Sequence, residues 1–336
     1  PGFINCHCHL ELCHLSGRIP EKTGLVPFLT QVMNFRTEAP SIDAMEFEEK
    51  NMLEEGIIAV ADICNTSNTF ELKSRNRLRY HSFIETAGFI PSTAEKRYQI
   101  AKQLADDFAS LDHTCHRCSV TPHAPYSVSA TLFDLIAENN RLLSIHNQEA
   151  EEENEFFLTG IGPFNDLYER MNIDISEFIP PRTNSLQAVA HHFKRPKSIL
   201  LVHNVATSQS DIEWLRQNNL LQKISWTLCP NANLYISGSL PDVNLLKKNN
   251  AVITVGTDSL ASNHQLSILA ELKTLQKNFP TLTIVEMLQW ITLNGAKALM
   301  MDELLGSFEK GKQPGVVLIE KVEMDSIQHA ISRRIL

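Results

Sequence analysis

The run Cys6-His7-Cys8-His9 carries the first chemical signal in this chain. In an extended strand successive side chains point to opposite faces, so His7 and His9 share one face while Cys6 and Cys8 share the other. Imidazole is the commonest side-chain ligand of catalytic metals, and two rings on a stiff strand make half of a coordination sphere. Alone the pattern is weak. Two ordinary histidines fit it, and so does a zinc knuckle built from Cys6, Cys8, Cys13 and His14, although alternation turns those thiols away from the imidazoles. The other half of a site must come from elsewhere in the chain.

Apolar runs that alternate with helix-periodic stretches show which elements could supply it. Strands are expected at Phe3 to His9, Ile57 to Ala61, Tyr80 to Ile84, a run ending at Val120-Thr121, Leu142 to His146, Ile199 to His203, Ile224 to Leu228 and Val252 to Val255. Between several of them lie helical patterns. One holds Ile42, Met45, Met52 and Leu53, another holds Ile100, Leu104, Phe108 and Leu111, and Ser92 to Glu95 and Thr283 to Glu286 have capping-box spacing. Strand–helix alternation with nearly continuous apolar strands predicts parallel βαβ units, and eight of them predict a closed (β/α)8 TIM barrel over residues 1–303. Residues 304–336, with Val316 to Ile319 as a further strand, read as a separate C-terminal segment.

The active site of such a barrel lies at the carboxyl ends of its strands, so the residues that close each apolar run are the informative ones. His7 and His9 close the first run, His146 the fifth and His203 the sixth, while Asp258 follows the eighth in Val255-Gly256-Thr257-Asp258. Each could be an ordinary polar strand end. Five potential ligands on one rim predict a metal centre. His123, at the rim of the fourth strand, either hydrogen-bonds substrate or Glu149, or only pins its loop. Glu151-Glu152-Glu153 reads as a solvated helix face, His191-His192 as a helix end, and Cys115-x-x-Cys118 beside His113 and His116 as a weak zinc pattern.

In this order the motifs resemble the amidohydrolase superfamily, specifically its aminohydrolase (deaminase) branch, over nearly the whole chain. Pro1-Gly2-Phe3-Ile4-Asn5-x-His7-x-His9-Leu10 is similar to the opening strand of the family, His146-x-x-Glu149 to its His-x-x-Glu, and Gly256-Thr257-Asp258-Ser259 to its closing Asp motif. The resemblance implies that His7, His9, His146 and Asp258 bind one divalent ion. Zinc is expected, with Fe2+ or Mn2+ as alternatives. It also implies that Glu149 shuttles a proton, that His203 orients the attacking water, and that Asp258 accepts a proton as hydroxide forms on the metal. Binuclear members bridge two ions with a modified Lys or a Glu on strand four. Here that strand offers Ser119-Val120-Thr121-Pro122-His123, which implies a single ion.

The implied reaction is hydrolytic release of ammonia from an aminated purine nucleoside or related heterocycle. The branch motifs Leu10-Glu11-Leu12-x-His14-Leu15, Thr257 to Asn263 and Gly311 to Gly315 are most similar to those of the group containing aminodeoxyfutalosine deaminase and adenosine-type deaminases. The alternatives are hydrolysis of a cyclic amide, guanidine or halide on the same barrel, or a catalytically silent metal-binding barrel. Ala150 to Pro196 is longer than a βα connection requires and reads as a lid or pocket wall. Family members complete a small β-sandwich with strands that precede the Pro-Gly-Phe, so that half is expected upstream of Pro1, where this chain does not show it.

Composition sets the outer bounds. The 336 residues are 43% hydrophobic and 21% charged, with a formal net charge of -9 and no long basic run. That balance disfavours nucleic acid and anionic membranes and favours a small-molecule substrate, and a homodimer is compatible with it. No apolar stretch is long enough to span a bilayer. Seven scattered cysteines read as reduced thiols in a cytoplasmic protein.

Overall fold

A computed structural model of the protein describes residues 1–36, 38 and 40–336. Eight parallel strands form its centre: β1 (Phe3–Cys8), β2 (Ile57–Cys64), β3 (Arg79–Thr86), β4 (His116–Pro122), β5 (Leu142–Asn147), β6 (Ser198–His203), β7 (Ile224–Leu228) and β8 (Val252–Val255). Backbone ladders run through β1 to β4 and through β5 to β8. Two seams close these sheets into a barrel. At one, Cys8 bridges Asp258 in parallel, and the N–H groups of Thr257 and Asp258 both donate to the His7 carbonyl at 2.9 and 3.0 Å. At the other, hydroxyls do much of the joining. Ser119 Oγ donates to the Leu142 carbonyl at 2.9 Å, and Thr121 Oγ1 donates to the Ser144 carbonyl and accepts the Ser144 N–H. The His146 N–H then reaches the His123 carbonyl at 2.9 Å, so β4 and β5 meet at the site rim.

Every residue of β1, β2, β5 and β7 is buried, as continuous apolar strands covered on both faces require. Cys6 and Cys8 pack into apolar clusters, opposite in pleat to the two imidazoles. Burying side chains such as Phe83 and Leu200 contributes roughly 1.5–3 kcal/mol each.

The expected capping box at Thr283 forms: its Oγ1 accepts the Glu286 N–H while Glu286 Oε2 accepts the Thr283 N–H. The one expected at Ser92 does not. Pro91 opens a short 3-10 turn, Pro91–Thr93, and the helix follows directly as Ala94–Phe108. Beyond the last barrel helix, Gly295–Ala298, the strand β9 (Val317–Glu320) pairs antiparallel with β10 (Ile331–Arg334), a second strand the sequence pattern had not revealed. Between β5 and β6, Glu151–Thr159, Pro163–Arg170 and Ser185–Val189 are helices. Phe156, Phe164 and Tyr168 from this insertion pack with Leu15, Ile19, Leu25 and Phe28 after β1 and with rim residues Tyr126, Ala150 and Ala261. No helix among the described residues is long and apolar enough to cross a membrane.

Candidate metal-dependent active site

Backbone strain marks the strand ends that aim side chains into the barrel mouth. Gln148 after β5, His203 and Asn204 at the end of β6, and Asp258 after β8 all hold positive φ, between 46° and 75°. Non-glycine residues in that region cost of order 1–3 kcal/mol each and persist where the surroundings over-determine them. The surroundings here are amide networks. Asn204 donates to the carbonyls of Leu201 and Thr227 and accepts from Asn147, and Asn5 and Thr257 tie β1 to the turn that carries Asp258.

At the centre, His7 Nε2 and His9 Nε2 lie 3.2 Å apart, and Asp258 Oδ1 lies 3.6 and 3.4 Å from them. Burial holds the His7 ring below its ordinary pKa and, with His7 beside it, takes His9 down to about 4. Burial alone would raise the Asp258 carboxyl, but the surrounding His7, His9 and His203 rings reverse this and hold it well below the carboxylate range. Two rings and a carboxylate facing one another at this distance could hold a cation among them. Ligands around a tetrahedral zinc with bonds of 2.0–2.1 Å sit about 3.3 Å apart, the spacing these three atoms already have. Ser262 donates to the other oxygen, Asp258 Oδ2, at 2.6 Å, which leaves Oδ1 facing the rings.

His146 stands beside this group, its ring 4.9 Å from that of His7 and 5.4 Å from that of His9. Its Nδ1 lies 3.0 Å from the His123 carbonyl, an acceptor, so Nδ1 carries the proton and Nε2 is the bare nitrogen. Ligand atoms of His146, His7 and His203 lie within 4.8 Å of one another. A second grouping of Glu85, His123 and His146 has similar spacing, but the protonated Nδ1 of His146 cannot ligate there. The structure therefore gathers two groups, His7 with His9 and Asp258 and His7 with His146 and His203, which share His7. Among the described residues no cysteine joins a metal-binding group, and in the second cysteine–histidine pattern His116 stacks on Tyr80 and bonds Asn76 while Cys118 donates to the Ala105 carbonyl.

The proton-handling residues stand against this cluster. Burial, with Asp258 and Glu153 as neighbouring carboxyls, pushes the Glu149 carboxyl well above its ordinary value. Its Oε1 lies 3.6 Å from His203 Nε2, a ring nitrogen that is buried and has no hydrogen-bond partner. His123 has its ring 4.8 Å from that of His146 and its Nδ1 2.8 Å from Ser127 Oγ. That bond pins the loop and leaves Nε2 for another partner.

Three participants escaped the sequence reading. Glu85 is the penultimate residue of β3 on the same rim, with Oε2 accepting from Asn65 at 3.0 Å and Oε1 lying 3.5 Å from His146 Nδ1. Burial would raise it, yet His123, His146, His9 and the Asn65 amide bring it down to about 2. The strand-end rule that found the histidines also points to Glu85, one residue past the apolar run of strand three. Glu153 is a correction: read as solvated, it is fully buried and accepts the N–H groups of Gln148 and Glu149, fixing the turn that presents Glu149. Asn233, in the helix Pro230–Ile236, places Nδ2 3.1 Å from His203 Nδ1. No strand pattern marks it.

Comparison with known proteins places the fold and the family. The chain is 29% identical over 343 residues to a 5-methylthioadenosine/S-adenosylhomocysteine deaminase of Thermoanaerobacter pseudethanolicus, covering 95% of this chain and 72% of that one. Its fold matches Helicobacter pylori aminofutalosine deaminase in complex with methylthio-coformycin, with a TM-score of 0.85, 22% identity and coverage of 100% and 86%. A zinc-bound adenosine deaminase from Xanthomonas campestris matches with a TM-score of 0.74, 19% identity and coverage of 95% and 71%. The sequence profile of the Amidohydrolase family spans residues 1–333, so the chain belongs to that metal-dependent family and is a hydrolytic enzyme acting on carbon–nitrogen bonds.

Proposed function

We propose that the protein is a deaminase that removes the exocyclic amino group of an adenosine-type nucleoside as ammonia, using one divalent ion, most simply zinc, held by His7, His9, His146 and Asp258. One observation carries the reading: a fully enclosed carboxyl, Glu149, whose pKa burial raises, stands 3.6 Å from His203 and beside a cluster of imidazoles and one carboxylate. Bound there, the ion would supply Lewis-acid activation of water at neutral pH. Glu149 donates its proton to a ring nitrogen of the base, which makes the adjacent amino-bearing carbon electrophilic. Asp258, kept ionised, accepts a proton from the attacking water, and His203 hydrogen-bonds that water and sets its direction. The amino group takes the proton held by Asp258 and leaves as ammonia as its carbon–nitrogen bond breaks, while the hydroxyl on the same carbon becomes the carbonyl and its proton restores Glu149. His123 and Glu85, on the rim between β3 and β5, hold the substrate, and the aromatic insertion over the mouth limits access of bulk water.

The relatives named above argue for adenine nucleosides altered at the 5′ position, with aminodeoxyfutalosine among them. Seven unpaired thiols suit a reducing compartment such as the cytoplasm. The test is ammonia release by the zinc-loaded protein from adenosine, 5′-deoxyadenosine, 5-methylthioadenosine and aminodeoxyfutalosine, with pterins, pyrimidines and triazines as competitors. Turnover of at least one adenine nucleoside is expected, and Glu149→Gln should lower it by about 10²–10⁴-fold with metal retained. Ammonia from none of the nucleosides, or chloride from a chlorotriazine in their place, would overturn the proposal.

A further inference from the structure

A neutral imidazole has one proton and two nitrogens, and what His203 can do in the site depends on which nitrogen holds it. The ring is fully buried at the end of β6. Its Nδ1 faces Asn233 Nδ2 at 3.1 Å, and its Nε2 faces Glu149 Oε1 at 3.6 Å. Asn233 is 1% exposed and held by its backbone: its N–H donates to the Cys229 carbonyl, and its carbonyl accepts from the N–H groups of Ser237 and Gly238. An amide nitrogen only donates. In this orientation of the amide, which leaves Oδ1 buried without a partner, Nδ2 donates to a lone pair on Nδ1, and the proton of the neutral ring then sits on Nε2.

The consequence falls on Glu149. With a proton on Nε2, His203 offers Glu149 no lone pair and can donate to the attacking water, so the acid proton of Glu149 stays free for the substrate. With Nε2 bare, that nitrogen would be the nearest strong acceptor and would draw the Glu149 proton away from the base it should protonate.

We propose that Asn233 is a positioning residue that sets the tautomer of His203, and through it keeps the Glu149 proton available to substrate. The role in turnover rests on the deaminase reading; the tautomer does not. Asn233→Asp is the informative variant, since a carboxylate of the same shape accepts where the amide donates, and so moves the proton to Nδ1. In zinc-loaded protein with ¹⁵N-labelled histidine, NMR should show His203 protonated on Nε2 in the wild type and on Nδ1 in Asn233→Asp, with Asn233→Ala showing a mixture and His203→Gln identifying the signal. On a nucleoside that the wild type turns over, kcat should fall about tenfold or more in Asn233→Asp, with KM within about threefold and zinc content unchanged.

An Nδ1 proton in the wild type would overturn the tautomer assignment. A shifted proton with unchanged kcat would overturn the link to Glu149. Should Asn233→Asp not fold, Asn233→Ala decides: a mixture with reduced kcat supports the proposal, and an unaltered Nε2 proton with unaltered kcat defeats it. If no nucleoside is turned over, the deaminase reading fails while the wild-type NMR spectrum still decides the tautomer.

Discussion

Replacing Gly256 by Ala should damage the metal centre without touching a ligand. Gly256 follows β8 and donates its N–H to the Leu228 carbonyl at 2.9 Å. A Cβ there would lie 2.7 Å from the backbone nitrogen and Cβ of His7 and 2.9 Å from its carbonyl oxygen. Ordinary contact begins near 3.4 Å, so β1 would have to retreat by about 0.7 Å at His7. Its carbonyl, which takes the N–H groups of Thr257 and Asp258, resists that movement. Overpacking of this kind costs about 1–3 kcal/mol. Because His7 Nε2 must keep its spacing to His9 and Asp258, zinc affinity should fall about 10–100-fold. Turnover at saturating zinc should fall by up to about 10²-fold, as for other misplacements approaching 1 Å. Competition against a chromophoric chelator, kcat/KM with excess zinc and thermal unfolding measure the three effects. Gly311→Ala is the control. Gly311 has φ +96° and nothing within 4 Å of an added Cβ, so that change strains the backbone, lowers stability slightly and leaves zinc affinity alone. Zinc affinity and turnover within twofold of wild type in Gly256→Ala would refute the claim that this close approach sets His7.

His146→Ala should reduce zinc per chain by elemental analysis, and full occupancy would remove His146 from the ligand set. Glu85→Gln should keep zinc but raise KM or lower kcat, because it replaces the buried anion beside His123 and His146; wild-type kinetics would count against a substrate-side role. His81 offers a stability test away from the site. Buried against Ser119 and Phe83, its ring is held down to about 3, so below 6.5 the unfolded chain binds a proton that the folded chain refuses. Stability is therefore lost as pH falls below 6.5, with this group contributing about 1.4 kcal/mol between pH 7.5 and 5.5. Urea denaturation of His81→Gln should show a pH dependence smaller by about that amount, and an unchanged difference would refute the assignment.

What the linear sequence determined was placement along strands. Alternation puts His7 and His9 on one face, and the ends of apolar runs put His146, His203 and Asp258 on one rim, because both rules depend only on local backbone geometry. Glu85 was within reach of the same rule. Glu153 was not: three glutamates in a row look solvated until the turn before their helix brings two backbone N–H groups that need an acceptor. Nor could any periodicity show that the seam between β4 and β5 relies on Ser119 and Thr121, or that Gly256 is required for the space it leaves beside His7. The proton on His203 lies furthest from the sequence, since it depends on an amide from another strand's connection at 3.1 Å. Residue type and spacing select which atoms can take part. Only closure of the barrel brings elements more than 200 residues apart into contact and decides which lone pairs and protons face one another.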